Sequence, residues 1–265
     1  MAGCMGGYWE EGYIGDGYDS AAVIGYEGDI SGAAMDSSMG ATMVSKTGLA
    51  AGALGVTPEE AAQSAAERFE ARMNPKSCVS TQVTGATVVA TVNDCNGSRG
   101  LVHMTGVITF VYSVSGSDII SDITSTGLKI GSKRHRYTID IDSRAVRSSA
   151  DGTVTTSVST SGSGNGPRGV AFTRDGNYTI TYDMSTECRT INGQWTTIAE
   201  DRTEITTVTD LKRCGTDCPE LGSKVLVDNG SGVSVEMTYD GTGTVKWNRG
   251  GIKSGTLKLT CGETD

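Results

Sequence analysis

From Leu101 to Val114 apolar and polar side chains alternate: Val102, Met104, Ile108, Phe110, Tyr112 and Val114 fall on one side, His103, Thr105 and Thr109 on the other. A period of two is that of a strand with one buried face. Tyr137, Ile139 and Ile141 alternate in the same way against Arg136, Thr138, Asp140 and Asp142. Between such runs stand Asn-Gly at 96, 165, 192 and 229 and Asp-Gly at 151, 175 and 240, dipeptides that accept the positive φ angles of hairpin turns. The spacing predicts about a dozen strands from Lys76 onward. The expected class is all-β: a large antiparallel meander, as an open sheet, a sandwich or a partial barrel.

One stretch keeps a helical period instead. Thr57-Pro58-Glu59-Glu60 reads as a helix start, with Thr57 as N-cap, Pro58 at the first helical position and Glu60 closing a capping box. Ala62, Ala66, Phe69 and Met73 share one face, Arg68 and Arg72 suit the negative end of the helix dipole, and Asn74-Pro75 ends the run. This predicts one short amphipathic helix over 57–75, packed on the sheet.

The β-region also repeats itself. Asn96-Gly97-Ser98-Arg99-Gly100-Leu101, followed by Gly106-Val107-Ile108-Thr109-Phe110-Val111-Tyr112, is echoed by Asn165-Gly166-Pro167-Arg168-Gly169-Val170 and then Gly176-Asn177-Tyr178-Thr179-Ile180-Thr181-Tyr182. Residues 76–265 therefore read as a duplicated β-rich domain. Arg99 and Arg168 hold equivalent places in the two copies and are expected to make a repeated structural contact.

Residues 1–56 show no lasting period, and we expect them to form a Gly-rich acidic tether, since little apolar surface is available there to offset chain entropy. Tyr8, Trp9, Tyr13, Tyr18 and Tyr26 offer the alternative of self-association through this segment. Glycine makes up 37 of 265 residues, about twice the ordinary share, which suits short strands and tight turns. The net charge is −9, of which residues 1–56 carry −6, seven acids standing against Lys46 alone, and the remainder −3. So acidic a chain repels phosphate backbones, and nucleic acid is not an expected partner. No run of 18 apolar residues is present to form a membrane-crossing helix.

Seven cysteines alter the picture most. Six fall in the β-region (Cys78, Cys95, Cys188, Cys214, Cys218 and Cys261) and Cys4 stands apart, the distribution of an even disulfide set plus one thiol used separately. An oxidising, extracytoplasmic compartment follows. Cys78 and Cys95 are equidistant from a point between Gly85-Ala86 and Thr87, near a hairpin tip at Thr84-Gly85, and Cys188 and Cys214 from Asp201 in the polar break Glu200-Asp201-Arg202. The expected pairs are thus 78–95, 188–214 and, by remainder, 218–261. A four-thiolate zinc site from Cys188, Cys214, Cys218 and Cys261 is the alternative in a reducing compartment.

Candidate chemistry is sparse. No serine has glycine two residues to either side, so no nucleophile elbow is present. His103 lies on a polar strand face, and His135 sits within Lys133-Arg134-His135-Arg136; neither has metal or triad spacing. Asp140 and Asp142 share a strand face, but the rest of a calcium loop is missing. No cofactor, metal or catalytic residue is expected.

Met1-Ala2-Gly3-Cys4 is similar to a bacterial lipobox, with Met in place of the usual Leu, and Cys4 is therefore the expected lipid anchor. With the acidic Gly-rich lead and the Thr-rich, cysteine-bearing β-region, the chain resembles the lipid-anchored, disulfide-bonded all-β envelope proteins of Gram-negative bacteria. The resemblance implies an outer-membrane-anchored, periplasmic or extracellular location. The function expected is a non-enzymatic β-scaffold for binding or adhesion, with a surface glycan or protein as ligand and the membrane contacted only through the anchor. The alternatives are a self-assembling structural subunit and a carbohydrate hydrolase with two carboxylates across a groove.

Overall fold

The computed structural model describes residues 56–96, 103–131, 136–166, 169–186, 188–199, 202–214, 219–228, 234–242 and 244–258. The N-terminal segment, Cys4, Arg99, His135, Arg168, Cys218 and Cys261 lie outside the described residues, and with them the tether, the anchor and the 218–261 pair.

Helix α1 spans Pro58–Arg72. The Thr57 side chain accepts from the Glu60 amide at 3.2 Å, and the Glu60 carboxylate accepts from the Thr57 amide at 2.9 Å, so both halves of the expected capping box are made. A cap of this kind contributes roughly 0.5–2 kcal/mol. Ala61, Ala62, Ala65, Ala66, Phe69 and Met73 are buried, while Glu59, Glu60, Gln63 and Glu67 face water.

The described strands are β1 (Val79–Thr84), β2 (Thr87–Asn96), β3 (His103–Ser115), β4 (Asp118–Gly131), β5 (Arg136–Ala150), β6 (Thr153–Asn165), β7 (Ala171–Asp183), β8 (Cys188–Ala199), β9 (Arg202–Cys214), β10 (Lys224–Asp228), β11 (Ser234–Tyr239), β12 (Thr244–Arg249) and β13 (Lys253–Lys258). Each pairs antiparallel with its neighbours in sequence, so the spatial order is β1 through β13 without a crossover. Of the three expected arrangements this is the open meander: β1 and β13 stand at opposite ends of the order.

Alternation decides which side is inward. In β7, Arg174, Gly176, Tyr178, Ile180 and Tyr182 are buried, while Thr173, Asp175 and Asn177 are exposed. α1 lies on the inward face over β1–β3, where Phe69 meets the Phe110 ring edge-on at 5.6 Å between centroids. Arg68 of α1 has its pKa lowered, first by burial and then by the Arg189 guanidinium of β8. One apolar cluster joins α1 to β1–β5, and a second, centred on Tyr178 and Trp195, continues through β5–β12.

The turn reading holds at Asp151-Gly152, where both residues have positive φ and join β5 to β6, and at Asp240-Gly241 between β11 and β12. It fails at Asp175-Gly176 and Asn192-Gly193, which lie inside β7 and β8. There the glycines make room for the residue opposite, the Trp195 ring at Gly176 and the Tyr178 Cα and Cβ at Gly193. Gly176 is opposite Trp195 and Gly193 is opposite Tyr178, and a Cβ at either would come within 2.3 Å of the facing residue. Val114 also departs from expectation: it continues the alternation of β3 but is 48% exposed, because it lies at the hairpin end, beyond the covered part of the sheet. The two copies of the sequence repeat fall on the β2-to-β3 and β6-to-β7 connections and the strands that follow them, four strands apart in the meander.

Candidate functional site

Two of the three expected disulfides fall among the described residues, and both are formed. Cys78, in the 3-10 turn before β1, is bonded to Cys95 of β2, and Cys188 of β8 is bonded to Cys214 directly opposite on β9. The hairpins that bring them together are those read from the sequence: β1 and β2 close at Thr84↔Thr87, and β8 and β9 close at Ala199↔Arg202. Glu220 comes close enough to Cys188 and Cys214 for potential ligand atoms to lie within 4.8 Å of one another. Both sulfurs are held in the disulfide, however, so neither is a thiolate for zinc, and the Glu220 carboxylate pairs with Lys212 Nζ at 3.0 Å. The zinc alternative fails for these two cysteines.

The remaining sequence candidates have structural work. His103 Nδ1 is 3.2 Å from Asp94 Oδ1, beside the irregularity where β2 shifts register between Val92 and Cys95. Asp140 accepts from the Gly127 amide in the β4 bulge, where Gly127 has a φ of +63°. One of the two acids that share this strand face is thus bonded to backbone, and Asp142 is exposed two residues along.

A cleft of 470 Å³ opens where the ends of β5–β8 meet. Its lining combines Thr138 and Asp140 of β5, Ser163, Gly164 and Asn165 of β6, Ala171, Phe172 and Thr173 of β7, and Ile198 of β8. Across the strands Asp140, Ser163, Thr173 and Ile198 stand in register on the outer face. At Gly164 a Cβ would meet the Thr138 carbonyl at 1.9 Å, so the floor there is bare backbone. Phe172 is half-buried and packs from the inward side on the apolar cluster of α1 and β1–β5, while Ile198 is 47% exposed, an apolar contact on the outer face beside hydroxyl, amide and carboxylate groups. Among the lining residues only Asp140 had been weighed as a ligand from the sequence. Ile198 gave no sign there, because an apolar residue within a strand reads equally well as core.

The inward face holds a second group that the sequence reading missed. Arg147 of β5 and Arg174 of β7 are each 3% exposed. The Arg174 guanidinium lies over the Trp195 ring at 5.4 Å, and burial pushes the Arg147 pKa down, an effect that the nearby Tyr112 phenol opposes. The signal was available. Arg147 follows Ile139, Ile141, Ser143 and Ala145 at a spacing of two, and Arg174 precedes Gly176, Tyr178 and Ile180 in the same way.

No family model matches the chain, and no curated protein or solved structure matches it either. The disulfides still speak to compartment. Bonds of this kind persist in oxidising, extracytoplasmic surroundings, and no helix among the described residues is long and apolar enough to cross a membrane.

Proposed function

We propose that the protein is a non-enzymatic extracytoplasmic β-scaffold that binds a neutral glycan in the cleft at the ends of β5–β8, tethered to a membrane through a lipid on Cys4. The observation that carries this reading is the cleft's lining. A sugar ring presents hydroxyls around its rim and C–H groups on its faces. Thr138, Ser163, Asn165, Thr173 and the second oxygen of Asp140 match the rim, while exposed Ile198 matches a face. The volume of 470 Å³ lies in the range of ordinary small-ligand sites, where a few polar groups among apolar ones fix orientation. Support for the anchor is the lipobox-like Met1-Ala2-Gly3-Cys4, together with the oxidising compartment that the disulfides require.

Calorimetric titration with neutral oligosaccharides of several linkages tests the binding. At least one is expected to bind, and Thr173→Arg and Ile198→Glu, both at exposed lining positions, should each weaken it about tenfold, a loss of ~1.4 kcal/mol, with the far-UV circular dichroism unchanged. Failure of every sugar to bind, or wild-type binding by both variants, removes the reading. The anchor is tested separately, by weighing the mature protein from a Gram-negative host expressing the natural upstream region. A mass without acyl chains removes it.

A further inference from the structure

An open sheet has two edges, and an edge strand offers unpaired N–H and C=O groups to any extended chain that meets it. Among the described residues the order begins at β1 and ends at β13. β13 begins with Lys253 and ends with Lys258, residues of the kind by which edges are ordinarily blunted. β1 has no such protection of its own. Val79–Thr84 carries no charge and no proline, and its register with β2 runs without a bulge. Thr84 and Thr87 close a two-residue turn, so Thr84, Gln82 and Ser80 make the hydrogen bonds to β2, and the N–H and C=O groups of Val83, Thr81 and Val79 point away from it. The middle N–H of these three is taken. Glu70 of α1 accepts with Oε1 from the Thr81 amide at 3.1 Å and from the Thr81 hydroxyl at 2.6 Å. The carboxylate thus comes from outside the ladder and sits at the centre of the open edge. Elsewhere α1 does not depend on it, since the capping box is at the other end of the helix and the buried face is made by Ala62, Ala66, Phe69 and Met73.

We propose that β1 is a self-complementary docking edge with Glu70 as its guard. With the carboxylate on Thr81 the edge stays closed, and without it two copies of the chain pair antiparallel through β1. The strand fits a second copy of itself. A two-fold axis at Thr81 sets Val79 against Val83 of the second copy and Ser80 against Gln82, so the half-buried positions meet half-buried ones and the exposed meet exposed. Thr81 then faces its own mate as a hydrogen-bonded pair, and the amide now given to Glu70 goes to the mate's carbonyl. No like charges meet across that seam, because the strand has none. Nor does α1 obstruct it. The helix touches β1, β2 and β3, and two helices each placed over its own β2 would lie three strand spacings apart, about 14 Å, beyond the ~8–10 Å of helices in contact. Such a contact is isologous, so it stops at the dimer.

Sedimentation velocity of the full chain over a range of concentrations tests this, with circular dichroism to show that each variant is folded. Glu70→Ala is expected to raise the self-association constant at least tenfold over that of the wild type. Glu70→Gln, whose amide oxygen still accepts from Thr81, is expected to keep the wild-type value. The register is tested in the Glu70→Ala background at two exposed positions. Ser80→Lys with Gln82→Lys sets like charges opposite one another and should reverse the gain, whereas Ser80→Lys with Gln82→Glu sets opposite charges there and should retain it. Unchanged association in Glu70→Ala overturns the proposal, as does a gain that survives the two lysines. Ser80→Lys with Gln82→Lys in the otherwise wild-type chain keeps Glu70, so it stays informative if Glu70→Ala fails to fold. It should leave the sedimentation of the wild type unchanged. If it instead breaks up a wild-type oligomer, the edge is already open and Glu70 is no guard.

Discussion

Reduction of the two disulfides is expected to unfold the protein, or bring it to the edge of unfolding, at room temperature. On the chain-entropy estimate, a loop closed at a separation of 17 contributes about 3 kcal/mol and one at a separation of 26 about 3.5 kcal/mol. The two bridges sit at β1–β2 and β8–β9, and Cys188 and Cys214 lie outside the apolar cluster that holds Cys78 and Cys95, so their contributions should be close to additive. A sum of about 6–7 kcal/mol consumes much or all of the ~5–15 kcal/mol that holds an ordinary domain together. Urea titrations followed by circular dichroism, with and without a phosphine reductant, measure the difference. Coincident midpoints would show that the bridges restrain a state that is already restrained without them.

Removing the Trp195 ring should have the next largest effect. Trp195 is 1% exposed, stands directly over Gly176 and packs on Tyr178 at 5.2 Å between centroids. Trp195→Ala should cost about 3–5 kcal/mol, the usual toll for an aromatic cut out of a core. Gly176→Ala attacks the same contact from the other side. Its Cβ would come 2.3 Å from Trp195 Cδ1, an overpacking that costs roughly 1–3 kcal/mol. The pair makes a sharper statement than either change alone. In the Trp195→Ala background, Gly176→Ala should be nearly neutral, because the atoms it strikes are gone. A double-mutant cycle in urea reads this coupling, and full additivity of the two losses would contradict the ring-over-glycine packing.

Most of what was legible in the sequence rested on local rules that the fold obeys locally. Thr57 and Glu60 are three residues apart, and their capping box depends on nothing else. Cys188 and Cys214 could be paired because the chain turns once between them, so equal distance from Asp201 translates into facing positions. The misreadings arose where a residue answers to a partner across the sheet. Gly176 and Gly193 follow Asp and Asn and look like turns, yet each is glycine because of an aromatic residue nineteen or fifteen positions away. Arg147 and Arg174 were passed over for a different reason. Arginine on a strand normally faces water, so their alternation with buried neighbours was the only clue. The cleft was the least visible, since its lining joins four strands whose alignment depends on registers that no single stretch specifies.

The uninterrupted order of the strands bears on how the protein reaches its folded state outside the cytoplasm. Each described strand's hydrogen-bonding partners lie immediately before and after it in the chain, and each of the observed bridges closes a single hairpin. A polypeptide threaded N-terminus first through a secretion pore could therefore zip up hairpin by hairpin as it emerges, each new strand finding its template already in place. At each bridge the second cysteine arrives when its mate is the nearest thiol behind it in the chain. Correct oxidation would then follow from the timetable of export, without later reshuffling of mispaired sulfurs.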